Sequence, residues 1–171
     1  SVASELENRS FTVVQSGSAI TTDFDDITFV NTADPVPGYL TTGGWKTDGD
    51  TKYNVGMILT WLAGPEKSHG TFEVAGNQTF ELDIALDNQI VSSPPNTWDG
   101  DSLTKTGAGE LIISEVQNYT GRTSVLEGTL TTSDKANVLN SSTEVIIGAD
   151  GIWNLDTYDQ IARNLSGEGA I

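Results

Sequence analysis

The 171-residue sequence contains no cysteine. Disulfides, thiolate nucleophiles and cysteine-ligated zinc are therefore excluded. A chain without thiols also suits passage through an oxidising space while unfolded, where cysteines would pair prematurely. Positive charge is scarce, with 8 Lys and Arg against 24 Asp and Glu and a net charge of −16. Phosphate recognition needs clustered basic residues, so nucleic acid is not an expected partner, and anionic lipid is disfavoured for the same reason. No apolar run approaches the roughly 18 residues of a membrane-spanning helix. The opening SVASELENRS lacks the charged and apolar regions of a signal peptide. An exported form of this chain is accordingly expected to be a fragment or a processed product.

Helical periodicity is also rare. DTYDQIARNL, from Asp156 to Leu165, spaces Ile161 and Leu165 as a helix would, but its flanks read as strands, and it is expected to be strand or loop. Thr, Ser, Asn, Asp and Gly dominate, and Val, Ile, Leu and Phe fall in short runs between polar clusters. This is the pattern of many short strands joined by turns.

The strands come with punctuation. Glycine precedes a short apolar run at Gly109, Gly128, Gly151 and Gly169, at intervals of 19, 23 and 18 residues. SHGTFEVAG, around Gly70, is a looser earlier member. A period of this size means one small unit stacked on copies of itself, long enough for two or three short strands, one turn of a β-helix. Strand alternation puts Leu111 and Ile113 on one face and Ile112 on the other. Gly109, Gly128 and Gly151 are assigned to corners, where glycine turns the chain without a Cβ clash. Leu111, Leu130, Ile152 and Ile171 are expected to form one inward column. Most residues from Leu103 to Ile171 are expected in short parallel strands. On pattern alone, a β-sandwich with irregular strand spacing fits as well.

Residues 103–131, LTKTGAGELIISEVQNYTGRTSVLEGTLT, resemble the autotransporter-associated β-strand repeat. Lys105-Thr106-Gly107-Ala108-Gly109, Leu111, Tyr119-Thr120-Gly121, Thr123, Val125 and Gly128-Thr129-Leu130 fall in its register. The following STEVIIGADGIWNLDTYDQIARNLSGEGAI continues the likeness, down to Tyr158-Asp159-Gln160 and Leu165-Ser166-Gly167. Glu110, Glu115, Arg122 and Glu127 replace the usual small polar residues, at positions expected to face solvent. The resemblance implies a right-handed parallel β-helix: a regular repeat at 102–171, preceded at 1–101 by less regular coils carrying Pro- and Gly-rich loops. It also implies a passenger of a type V secretion system, exposed on or released from the surface of a Gram-negative bacterium. In the full-length protein its own C-terminal β-barrel would be a partner. The other implied partners are a host-cell surface, a host protein or the same protein on a neighbouring cell. Within the family, passengers include adhesins, aggregation and virulence factors and proteases, and coils near the barrel act as an autochaperone. For that folding role Gly109, Leu111, Gly128, Leu130, Gly151, Trp153, Tyr158 and Asp159 are the candidates. Tyr158 would clamp a coil, and Asp159 would accept hydrogen bonds from turn N–H groups.

Chemistry is harder to find. Ser68 and His69 are neighbours on the chain, so in a strand they point apart and cannot make a nucleophile–base pair; no G-x-S-x-G elbow is present. Asp23, Asp25 and Asp26, then Asp48 and Asp50, then Asp99 and Asp101 form acidic clusters, but none has the spacing of a calcium loop, and Asp-Gly is first a turn signal. No pair of carboxylates is singled out for glycan hydrolysis. Trp45, Tyr53, Trp61, Trp98 and Trp153 read first as caps and loop anchors. The excursion GGWKTDGDTKY is the place where a sugar or protein contact would sit. The chain is expected not to be an enzyme and to need no cofactor or metal. A polysaccharide-acting β-helical lyase or glycosidase is the alternative.

Overall fold

Short alternating runs become ten strands in the computed structural model, which describes residues 10–24 and 36–171. They are β1 (Ser10–Gln15), β2 (Leu40–Thr47), β3 (Lys52–Leu59), β4 (Thr71–Glu73), β5 (Thr79–Leu82), β6 (Leu103–Thr106), β7 (Glu110–Ile113), β8 (Thr123–Thr132), β9 (Val145–Asn154) and β10 (Leu165–Gly167). A 3-10 turn at Thr60–Leu62 is the one helical element among the described residues. The fold is thus all-β. Asp25, Asp26 and Pro35 lie outside the described residues.

Strands β4 to β10 form one parallel sheet. β8 and β9 are long enough to serve two rows. Their first halves lie with β4, β6 and β10, and their second halves with β5 and β7. The rows meet where the β8–β9 register shifts, between Val125 and Glu127. Leu103 aligns with Thr123, Thr123 with Val145 and Val145 with Leu165, spacings of 20, 22 and 20 residues. Thr71 aligns with Thr104, a spacing of 33; the extra length is the loop excursion before β6, which carries SSPPNTW. Fewer than half of residues 103–171 are in strands, contrary to expectation. The rest of each unit is turn, held to its neighbours by individual hydrogen bonds rather than by a ladder.

Alternation decides what is buried. Phe80, Leu111, Leu130 and Trp153 are paired in sequence across four strands, and all four are buried. Leu82, Ile113 and Thr132 make the parallel column two residues on. The expected place of Ile152 in this column is corrected: it aligns with Thr129, faces outward and is 44% exposed. Trp153 stands there instead. Ile171, also assigned to the column, follows Ala170, which bridges Ile152, and is 64% exposed.

The described residues before Thr71 differ from the less regular coils expected over 1–101. β1, β3 and β2 form an antiparallel sheet in that order, and the parallel repeat begins at Thr71 rather than at 102. The local reason is the hairpin turn TDGDT. Asp48, Gly49 and Asp50 all take left-handed φ angles, of 53°, 64° and 63°, residue types that tolerate that region. The antiparallel sheet joins the same core. Tyr39 stacks on Phe72 at 5.9 Å and meets Phe80 at 4.2 Å. Trp61 is fully buried, donates its indole N–H to the Asp87 carbonyl at 2.9 Å, and packs edge-on against Trp98. These aromatics close the β4–β5 end of the stack.

Candidate functional site

The chemistry-bearing part of the stack is its means of aligning one unit on the next. Gly128 has a φ of 69°, and its Cβ would also overlap the carbonyl oxygens of Gly107 and Gly109 in the unit below. Gly109 has no left-handed φ; there a Cβ would overlap the carbonyls of Ala75 and Gln78. Close approach of the neighbouring backbone, not turn geometry, demands glycine at that position. Gly151 is likewise packed against the Val125 carbonyl and pairs with Gly128.

Among the described residues, one buried inward position carries a charged side chain. Phe72, Lys105, Val125 and Ile147 align in a single column, and Lys105 is completely buried. Its ammonium donates to the carbonyl oxygens of Thr106 at 2.9 Å, Gly107 at 2.5 Å and Glu127 at 2.9 Å. Three donors thus meet three acceptors at the corner, and the Glu127 bond spans two units. Burial pushes the Lys105 amine down from 10.5 to about 8, opposed by the Glu127 carboxylate. The sign of the consequence is set by which state holds the proton. Between about 8 and 10.5 the unfolded chain keeps a proton that the folded chain has lost. Stability should therefore rise as pH increases through that window, and the rise should vanish in Lys105→Met. Urea unfolding of both proteins from neutral pH to pH ~10 checks this; equal pH profiles would show that the amine is not strained by burial.

The turns between the strand rows are fastened by side-chain amides. Gln117 accepts the Leu86 N–H at 2.9 Å and donates to the Ile84 carbonyl at 3.0 Å. Gln160 repeats the device, accepting the Val138 N–H at 2.8 Å and donating to the Lys135 carbonyl at 2.9 Å. Each glutamine replaces a missing stretch of ladder. Tyr119 closes the interior: its hydroxyl meets Thr123 Oγ1 at 2.8 Å, Thr123 bonds to Ser142 at 3.1 Å, and Ser142 donates to the Gly121 carbonyl at 2.8 Å. Burial drives the Tyr119 phenol far above its ordinary range, so it stays neutral.

The residues singled out from the sequence are distributed through this arrangement. Gly109, Gly128 and Gly151 lie at unit contacts, and Leu111, Leu130 and Trp153 share a column. Tyr158 and Asp159 follow β9 in a turn, and Tyr158 is 39% exposed. Asp159 accepts the Asn137 N–H at 3.1 Å, but through its backbone carbonyl and not its carboxylate. The fastening side chain of that motif is the next residue, Gln160. Sequence reasoning also passes over Lys105, although alternation from Leu103 places it on the inward face.

Elsewhere, His69 Nδ1 accepts the Thr71 N–H at 3.3 Å. Asp99 serves as a turn cap: burial opposes its charge, but hydrogen bonds from Ser102 and Asp101 outweigh that and hold its carboxyl below the ordinary value. Asp101 is raised, by burial first and by the Asp99 charge second. Asp48 pairs with Lys52 at 2.6 Å. Among the described residues no group of three His, Cys, Asp or Glu is arranged to hold a metal ion.

Comparison with known proteins adds one family. No curated protein gives a significant match to the chain. Residues 103–131 match the model of the passenger-associated-transport-repeat. The matched segment begins with β6, contains β7 and ends inside β8, so it covers the Lys105 corner and the Gly109–Gly128 contact. Residues 103–131 therefore carry a repeat of the autotransporter-passenger type.

Proposed function

We propose that this chain is part of the passenger of a Gram-negative autotransporter, folded as a right-handed parallel β-helix and exposed at the cell surface, and that its stacked units template the folding that accompanies secretion. The observation that carries this reading is the coincidence of the matched repeat with strands paired in register. A templating unit must present an ordered strand row to its neighbour, and β9, paired with β8 from Thr123–Val145 to Thr131–Asn154, presents one. The passenger acts at the surface by binding, as an adhesin or virulence factor, on a host surface or on a neighbouring cell.

Gln160 supplies the test. Gln160→Ala orphans the Val138 N–H, a loss of about 1–3 kcal/mol where that group is shielded from water. In the full-length protein the variant is expected to reach the cell surface in several-fold lower amount, with ligand binding per displayed molecule unchanged. The double change Tyr158→Gly with Asp159→Gly removes side chains that fasten nothing in the stack, and should lower display less. Normal display of Gln160→Ala, with a measured loss of stability in the purified chain, would refute the templating role.

A further inference from the structure

A cleft of about 480 Å³ opens beside the β2–β3 hairpin. Its walls are Gly43 and Trp45 of β2, Ile58 of β3, and Leu62 and Lys67 of the turn that follows. That volume falls within the range of small-molecule sites. Three features of this cleft bear on what it could hold.

The first is the state of its tryptophan. Trp61, Trp98 and Trp153 donate their indole N–H groups to Asp87, Ser102 and Thr132. Trp45 has no such partner among the described residues. The second is its cation. Lys46, Lys52, Arg122 and Lys135 are in ion pairs, Lys105 is held by carbonyls and Arg163 donates to Asn140. Lys67 alone among the described basic side chains has no partner, in a chain of net charge −16 with carboxylates in excess. The third is the floor. Gly43 has an ordinary φ and nothing within 4 Å of where its Cβ would stand. The fold does not require glycine there, and mid-strand glycine weakens a strand; its effect is to keep the cleft open beside the indole. Trp45 shares the face of Gly43 by alternation, while Lys46, on the other face, is taken by Asp23 at 3.3 Å.

We propose that this cleft is a binding site for an acidic sugar, a pyranose bearing a carboxylate. The C–H face of the ring packs on the Trp45 indole, against the apolar wall of Ile58 and Leu62. The indole N–H and the hydroxyl of Thr41, also in the lining and on the face of Gly43 and Trp45, meet ring hydroxyls. Lys67 pairs with the carboxylate as a point charge. β2 is an edge strand of its sheet, so its outer backbone groups are free to bond hydroxyls in addition. The site is separate from the repeat, and the inference does not depend on the passenger reading.

The test is titration calorimetry of the purified chain with cellobiuronic acid, cellobiose and indole-3-acetate as probes, near physiological salt. Cellobiuronic acid is expected to bind, and cellobiose about tenfold more weakly, because one charge-assisted contact is worth about that factor. Trp45→Ala should weaken the acidic disaccharide at least about tenfold. Lys67→Met should abolish the preference for acid over neutral sugar while leaving the weak cellobiose binding in place. Gly43→Val fills the cleft from an open position, keeps the fold by circular dichroism and should block both sugars. The proposal is overturned if the wild type binds no sugar, if the three variants bind as the wild type does, or if indole-3-acetate binds more tightly than the sugar acid.

Discussion

Gly128→Ala should destabilise the chain by roughly 3–5 kcal/mol. Two causes add at this residue. Its φ of 69° is left-handed, a region that alanine enters only with strain. The added Cβ would also overlap the carbonyl oxygens of Gly107 and Gly109. Backbone cannot swing aside as a flexible side chain can, so relief requires the two units to separate. Separation breaks the register from Glu110–Thr129 to Ile113–Thr132. Gly43→Ala is the control, since its Cβ would meet nothing within 4 Å, and it should be neutral or slightly stabilising. Denaturant unfolding of the two variants measures the difference. Equal stabilities would mean that the units are not in contact at Gly128.

Leu111→Ala should cost about 2–5 kcal/mol, the transfer term plus the cavity left behind. Leu111 is completely buried between Phe80 and Leu130. Neither neighbour can collapse into the gap without leaving its own strand row. Ile152→Ala removes a comparable apolar side chain from the outward face and should change stability by less than about 0.5 kcal/mol. The pair of variants tests register directly. A slip of one residue exchanges the faces of a strand, so a large loss at Ile152 with a small one at Leu111 would contradict the alignment of β7, β8 and β9.

Much of the stack is legible in the order of its residues. Alternation in ELII assigns Leu111 and Ile113 to one face, and recurrent glycine marks the unit length. Both signals are local, because they follow from strand pleat and from the absence of a Cβ. The error at Ile152 has an instructive form. In Gly109-Glu110-Leu111 and Gly128-Thr129-Leu130 the inward residue is the second after glycine. The same count from Gly151 reaches Trp153, the residue found inside. Choosing the aliphatic residue over the spacing moves the column by one. Lys105 is equally available by counting two from Leu103, but a charge at an inward position reads as a reason to doubt the face. Only the carbonyls gathered at the Gly107 corner make it acceptable there.

The all-β class, the unit of about twenty residues and the passenger-type repeat follow from residue order alone. Each depends on neighbours within a few positions or on a motif contained in a single segment. The remaining features arise where distant parts of the chain meet. Gln160 reaches Val138, and Lys105 reaches Glu127, each 22 residues away along the chain; no local rule selects those partners. The antiparallel sheet of β1, β2 and β3 depends on Ser10 meeting Gly56 and Leu40 meeting Leu59. The cleft needs Trp45 and Lys67 to line the same walls while every other described cation finds a partner elsewhere. Such features follow from which surfaces come together once the units have stacked, and that depends on packing over the whole chain rather than on any stretch of it.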